Sequence, residues 1–180
     1  MKKMIIQEYK KNWIDDFKKI KKEVEKSLSG VDVEIEHVGS TSIPDLAAKP
    51  IIDIDIVYGA NVNFEDIKCR LEKLGYCHLG NQGIKEREVF KRWKSTQKHK
   101  VLDFINHHLY VCPVHSEELQ RHIMFRDFLV KHKIERQQYE EIKHDIANES
   151  NQDQKIYARL KEVKAREFVD SIIKRAREDK

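Results

Sequence analysis

Residues 51–58, IIDIDIVY, constrain this chain more than any other segment. So dense a run of β-branched side chains predicts a buried strand. Strand side chains alternate faces, so Ile52, Ile54 and Ile56 turn one way into a core. Asp53 and Asp55 then share the opposite face, about 6.5 Å apart along the strand. Two carboxylates so spaced can share one divalent cation or grip a pair of them. Burying paired acids costs free energy unless a cation compensates. The alternative is an edge strand with one wet face, and the pair alone leaves the two readings evenly matched.

A second feature precedes it. His37-Val38-Gly39-Ser40-Thr41-Ser42 reads as a turn after a strand over 31–38. Glycine lets backbone approach a ligand closely. Hydroxyls and a following helix N-terminus can donate to phosphate oxygens. An ordinary strand–turn–helix cap has the same composition, so the turn alone is weak evidence.

The remaining pattern predicts an α+β fold with a helical C-terminal tail. Trp13, Phe17, Ile20, Val24 and Leu28 form one apolar stripe, giving a helix over 8–28. A short helix is expected within 40–48, with Pro44 in its first turn. Another helix is expected over 63–74, and strands over 76–79, 88–94 and 104–112, the last two joined by the polar run 95–100. Three helices follow, over 116–131, 135–148 and 152–177.

A length of 180 residues favours one domain, 1–180, with a real core. The surplus of 35 basic over 31 acidic residues, net +4, does not argue for a nucleic-acid binder, nor does it exclude one. It suits a local basic patch around an anionic ligand. Cys69, Cys77 and Cys112 show no zinc or redox spacing and read as reduced, partly buried thiols of a cytoplasmic protein. No apolar run approaches a membrane span, and the N-terminus is too charged for a signal peptide.

Together the two features are far more specific. A Gly-Ser turn, about a dozen residues, then Asp-x-Asp on the next strand resembles the layout of nucleotidyltransferase-fold enzymes. Residues 36–55, EHVGSTSIPDLAAKPIIDID, resemble the hallmark of the GrpB-like family (UPF0157) within that superfold. Residues 107–129, HHLYVCPVHSEELQRHIMFRDFL, are similar to its second block. Tyr9, Trp13 and Phe17 fit as well, as does Tyr157 followed by Lys161 or Lys164.

The resemblance implies a mixed sheet flanked by helices. It implies a turn, Gly39 to Ser42, that holds a nucleoside triphosphate, and acids, Asp53 and Asp55, that hold Mg²⁺ or Mn²⁺. Lys49 would contact phosphate. Active members of the wider superfamily usually add a third carboxylate on a neighbouring strand. Here that strand offers His107, His108 and Tyr110, with Asp103 just before it. His108 is therefore a candidate base or third ligand.

Other charged groups are weighed against ordinary roles. Arg126 and Asp127 suit an ion pair holding their helix as well as a substrate contact. His115 and His122 read as structural or surface groups. Lys91, Arg92 and Lys94 suit an anion cleft or plain solvation. Ile156, Leu160, Val163, Val169, Ile172 and Ile173 predict packing of the tail against the sheet.

Three functions follow, in order. The first is Mg²⁺-dependent transfer of a nucleotidyl group from a nucleoside triphosphate to an unidentified hydroxyl acceptor, which His108 or Tyr110 would border. The second is a non-catalytic nucleotide or anion sensor on the same fold. The third is an interaction protein using its charged helices. A homodimer is compatible with the sequence but not demanded by it.

Overall fold

The computed structural model describes residues 4–93 and 98–179. Helix α1 (Asn12–Ser27) leads into β1 (Val33–Val38), a 3₁₀ turn (Ser40–Ser42) and β2 (Ile52–Tyr58). Then come α2 (Phe64–Lys73), β3 (Tyr76–His78), β4 (Glu88–Arg92) and β5 (His107–Pro113). Helices α3 (Glu117–Lys131), α4 (Lys133–Glu149), α5 (Gln154–Lys164) and α6 (Arg166–Glu178) complete the order. The five strands form one mixed sheet, β1-β2-β5-β4-β3, with only the β2–β5 pair parallel.

Strand β2 lies inside the sheet, not at an edge. Its isoleucines, Ile52, Ile54 and Ile56, are buried among Ile20, Val24, Ile67 and Leu71 of α1 and α2. Each such burial stabilises by about 1.5–3 kcal/mol. The other face, which carries Asp53 and Asp55, is covered over β1 and β2 by α3. Leu119 packs there on Val57 and Cys112.

A second core joins Ile43 and Leu46 to Phe128 of α3, Tyr139 of α4 and Ile172 of α6. A third joins Ile5 and Ile6 to Ala47, Ile146 and Tyr157. The open edge of β1 is capped by side chains: Lys21 donates to Ile35 O at 3.3 Å and Arg126 to His37 O at 3.0 Å. Such capping keeps an edge strand from pairing with another chain.

Several expectations are corrected. No α-helix forms over 40–48; after the 3₁₀ turn the chain turns again at Pro44 and Asp45, the latter at φ 60°. The chain there supplies Ile43, Leu46 and Ala47 to two cores, which a single helical face could not do. The tail is two helices bent at buried Ala165, so that Tyr157 reaches the third core while Ile172 reaches the second. It packs on helices and the 43–47 segment instead of the sheet, and Ile156 and Val163 are exposed. Cys69 and Cys77 are exposed, and only Cys112 is buried. Strand β5 starts at His107, because residues 100–105 form turns. Lys94 and positions 95–97 of the expected polar connection lie outside the described residues.

Candidate functional site

The turn after β1 is fixed by its own side chains. Thr41 is buried, and its hydroxyl donates to Ile51 O at 3.2 Å. It therefore accepts from His37 Nε2, 3.1 Å away. The His37 ring stacks on Phe17, and burial pushes its pKa down to about 4, with Asp53 opposing, so the ring is neutral. Ser42 donates to Gly39 O at 2.6 Å. Gly39 has φ 71° and ψ −175°, a region essentially reserved for glycine. Its missing side chain leaves the space that Asp53 occupies.

The sheet register then assembles the site. Asp53 pairs with His108 across β5, and Asp55 with Tyr110. His108 Nδ1 donates to Asp53 Oδ1 at 2.9 Å, and its ring is half exposed. His107 points the other way: its Nδ1 donates to Ile105 O at 2.7 Å, so its Nε2 accepts from Tyr76 at 2.6 Å. Asp103 turns onto Arg92 at 2.5 Å and onto the His99 amide at 2.6 Å. The strand thus places no acid beside the pair.

Asp55 is 0% exposed. His122 of α3 lies over it, Nδ1 donating to Oδ2 at 2.7 Å, while Nε2 faces Glu118 at 3.4 Å. Burial alone would lower the His122 pKa. The hydrogen bonds to Asp55 and Glu118 outweigh that and lift it to about 9, so the ring is an imidazolium at neutral pH. The same contact holds the Glu118 carboxyl below its ordinary range. Sequence alone reads His122 as a structural or surface group, whereas the structure places it partly buried over Asp55 at the cleft. No sequence period links β2 to α3, and only the Glu118–His122 spacing of one helical turn hinted at a pair.

Asp53, Lys49, His108, His122 and the 39–41 turn line a cleft of about 730 Å³ between the sheet and α3–α6. That is within the range of small-molecule sites. Lys143 and Lys161 line it from α4 and α5. Lys143 is buried, donates to Ala47 O, and is pushed down to about 7 by burial and then by the charge of Lys161. Burial also lowers Lys49, with Asp53 opposing. None of these three lysines has a carboxylate ion-pair partner among the described residues. Of the three only Lys143 is buried, Lys49 and Lys161 being half-buried, and an anion in the cleft would offset the cost of holding their charge there.

Two buried side-chain atoms among the described residues lack a hydrogen-bond partner, Asp55 Oδ1 and Arg87 Nε. Arg87 lines the same cleft and stacks on Tyr110, 4.8 Å from the ring centroid. Arg126 is outside the cleft's chemistry. It bonds Asp127 at 2.8 Å and Glu36 at 2.5 Å, the ion-pair role. His115 is exposed near Glu86, and Lys164 pairs with Glu149 at the surface.

No group of three His, Cys, Asp or Glu side chains among the described residues is arranged to hold a metal alone. The donor set does suit Mg²⁺ or Mn²⁺ held jointly with a ligand. Mg²⁺ commonly takes one or two carboxylates and completes its shell with phosphate oxygens and water. Asp53 is the carboxylate that lines the cleft, and Asp55, 0% exposed beneath His122, keeps one oxygen without a partner.

Comparison with known proteins agrees with this architecture. The family model described as GrpB protein matches residues 3–175. UPF0157 protein BH1888 of Halalkalibacterium halodurans is 32% identical over 170 residues, covering 94% of this chain and 80% of that protein. UPF0157 protein YqkA of Bacillus subtilis is 28% identical over 139 residues, 77% of this chain, and the match spans only 38% of that longer protein. The crystal structure of conserved protein GrpB from Enterococcus faecalis superposes with a TM-score of 0.77 at 24% identity, covering 95% and 98% of the two chains. A mutant of Cid1 poly(U) polymerase bound to MgATP superposes with a TM-score of 0.57 at 11% identity, over 81% of this chain and 45% of that one. The fold is nucleotidyltransferase-like, and since the matched residues run through every element that builds the cleft, the chain belongs to the GrpB family.

Proposed function

We propose that the cleft binds a nucleoside triphosphate with Mg²⁺ or Mn²⁺ at Asp53 and Asp55, and transfers its nucleotidyl group to a hydroxyl acceptor. The observation that carries this reading is a cleft lined by Asp53, by Arg87 with its unsatisfied Nε, and by three lysines that have no carboxylate partner among the described residues, with Asp55 and its unsatisfied Oδ1 buried two residues on along the same face of β2. Native proteins pair nearly all such buried polar atoms, with protein groups, water or a ligand. Cid1, which shares the fold, was solved with MgATP.

In this reading the turn 39–42 receives phosphate oxygens through its backbone amides and the hydroxyl of Ser40. Lys49, Lys143 and Lys161 neutralise the remaining charge. A bound divalent ion would add charge neutralisation where the triphosphate meets the acids. His108 commits Nδ1–H to Asp53, which leaves Nε2 to take the proton of the acceptor hydroxyl. The acceptor oxygen bonds to the α-phosphorus, the α–β bridge breaks, and pyrophosphate leaves. The domain that does this spans 1–180.

A second reading, nucleotide or anion binding without transfer, is favoured by one observation. The strand positions beside Asp53 and Asp55 hold His108 and Tyr110 in place of a third carboxylate. The readings separate in one assay, incubation of the protein with labelled nucleoside triphosphate, Mn²⁺ and a panel of hydroxyl acceptors. Pyrophosphate release that is lost in His108→Ala supports transfer. Metal-dependent nucleotide binding with no pyrophosphate release supports the second reading.

A further inference from the structure

The sheet face that carries Asp53 continues past His108 onto β4 and β3, and there it is open. Phe90 pairs with Leu109, both buried against the α1–α2 layer. The next position along, Lys91 beside His108, therefore turns to the opposite face, the one that bears the acids. Lys91 is exposed, as is its β3 partner Cys77. Trp93 stands beyond it, 49% exposed, with Lys91 Nζ 4.4 Å from its ring centroid.

The connection from β4 to β5 emerges at this same end of the sheet. It carries exposed Lys98 and Lys100, and Phe104 at 83% exposure just before β5. Its only acid, Asp103, is consumed by Arg92 and the His99 amide. Glu88 of β4 is bonded to His78 on the far face. Lys91, Lys98 and Lys100 make no ion pair among the described residues. This end of the sheet thus carries Lys91 and Trp93 on the face of His108, and Lys98, Lys100 and Phe104 on a connection whose Val101, Leu102 and Ile105 pack against the α1–α2 layer, where His99 faces Glu23 of α1 at 3.6 Å.

We propose that this end of the sheet binds single-stranded nucleic acid. Trp93 and Phe104 would stack on unpaired bases, and the lysines would neutralise phosphates, the combination that non-sequence-specific single-strand sites use. Unpaired base faces are what the rings require, and a duplex does not offer them. A surface on which lysines outnumber the acids, Glu23 and Asp103, complements a phosphate backbone better than it does a neutral peptide or a second copy of itself. The strand terminus would then present its hydroxyl to His108 as the acceptor; that last step rests on the transferase reading, whereas the binding does not.

The test is titration of the whole protein with short oligoadenylate and oligouridylate, without nucleotide or metal. Trp13 is 3% exposed, so fluorescence quenching reports Trp93. Labelled-oligonucleotide anisotropy follows the variants. Single strands are expected to quench Trp93 and bind more tightly than a duplex of equal length. Trp93→Ala should weaken binding about ten-fold or more. Lys91→Gln should lower the slope of log affinity against log salt by about 0.7. Both variants should keep the wild-type thermal response to nucleotide. The proposal is overturned by no quenching at low salt, by equal affinity for duplex, or by affinities unchanged in both variants. Concentration-dependent dimerisation that buries Trp93 overturns it as well. A failed nucleotide response with intact oligonucleotide binding would sink the transferase reading and leave this surface standing.

Discussion

A methyl group on residue 39 would stand 2.3 Å from Asp53 Oδ2, so the glycine of the turn and the first acid of β2 occupy adjoining space that admits nothing between them. Gly39→Ala must therefore either move Asp53 or distort a backbone at φ 71°. Strain there costs on the order of 1–3 kcal/mol. The expected result is a lower melting temperature together with loss of the nucleotide response. Ser40→Ala, which leaves the backbone path intact, should melt close to wild type and lose only part of that response.

The His122 imidazolium predicts a pH dependence. Its folded pKa of about 9 lies above the ordinary 6.5. Its contribution to stability is thus complete below pH 6.5 and fades as pH rises through 9. Urea melts at stepped pH should show the stability advantage of wild type over His122→Gln shrinking over that window, so that the variant is weakest relative to wild type at the acid end. Equal slopes in the two proteins would remove the Asp55–His122 ion pair from the account.

Lys143 carries the opposite sign. Its folded pKa of about 7 lies below the ordinary 10.5, so its burial opposes folding below pH 7 and that penalty is relieved as pH rises toward 10.5. Lys143→Met removes the penalty but leaves Ala47 O without its donor, two effects of similar size. Calorimetry without ligand should place the variant within a few degrees of wild type. Titration with a nucleoside triphosphate should show affinity reduced about ten-fold, as expected for a lost contact to a charged group. A large loss of apo stability would make Lys143 a structural residue.

Arg126 tests the opposite assignment. Its bonds to Glu36, Asp127 and His37 O tie α3 to the edge strand β1. Arg126→Met should cost about 1–2 kcal/mol in denaturant melts, because part of the network is exposed and screened. Below its melting temperature the variant should keep wild-type nucleotide affinity.

Local pattern made much of this architecture legible. The apolar stripe of α1 and the alternation in β2 were each enough to place an element and its buried face. The Gly39–Asp53 layout placed the turn beside the acids. Long-range geometry was not legible. His122 lies 67 positions from Asp55, and only the packing of α3 on the sheet brings them together. Asp103 looked available until Arg92, facing away from the cleft, proved to hold it. The bend at Ala165 has neither proline nor glycine to announce it; two separate cores, at Ile172 and Tyr157, impose it. The segment after the turn held Pro44 and looked helical, but it is spent on three inward side chains, Ile43, Leu46 and Ala47.

The central claim is that Asp53 and Asp55 hold a metal-bound nucleotide. Thermal shift with ATP, GTP, CTP and UTP, each with and without Mg²⁺ or Mn²⁺, tests it on wild type, Asp53→Asn and Asp55→Asn. A ligand that binds only the folded state raises apparent stability by mass action, about 2.7 kcal/mol at a hundred times its Kd. The account predicts a metal-dependent rise in wild type for at least one nucleotide, absent in folded Asp53→Asn and Asp55→Asn. No rise at high ligand in folded wild type, or an equal rise in the variants, would contradict it.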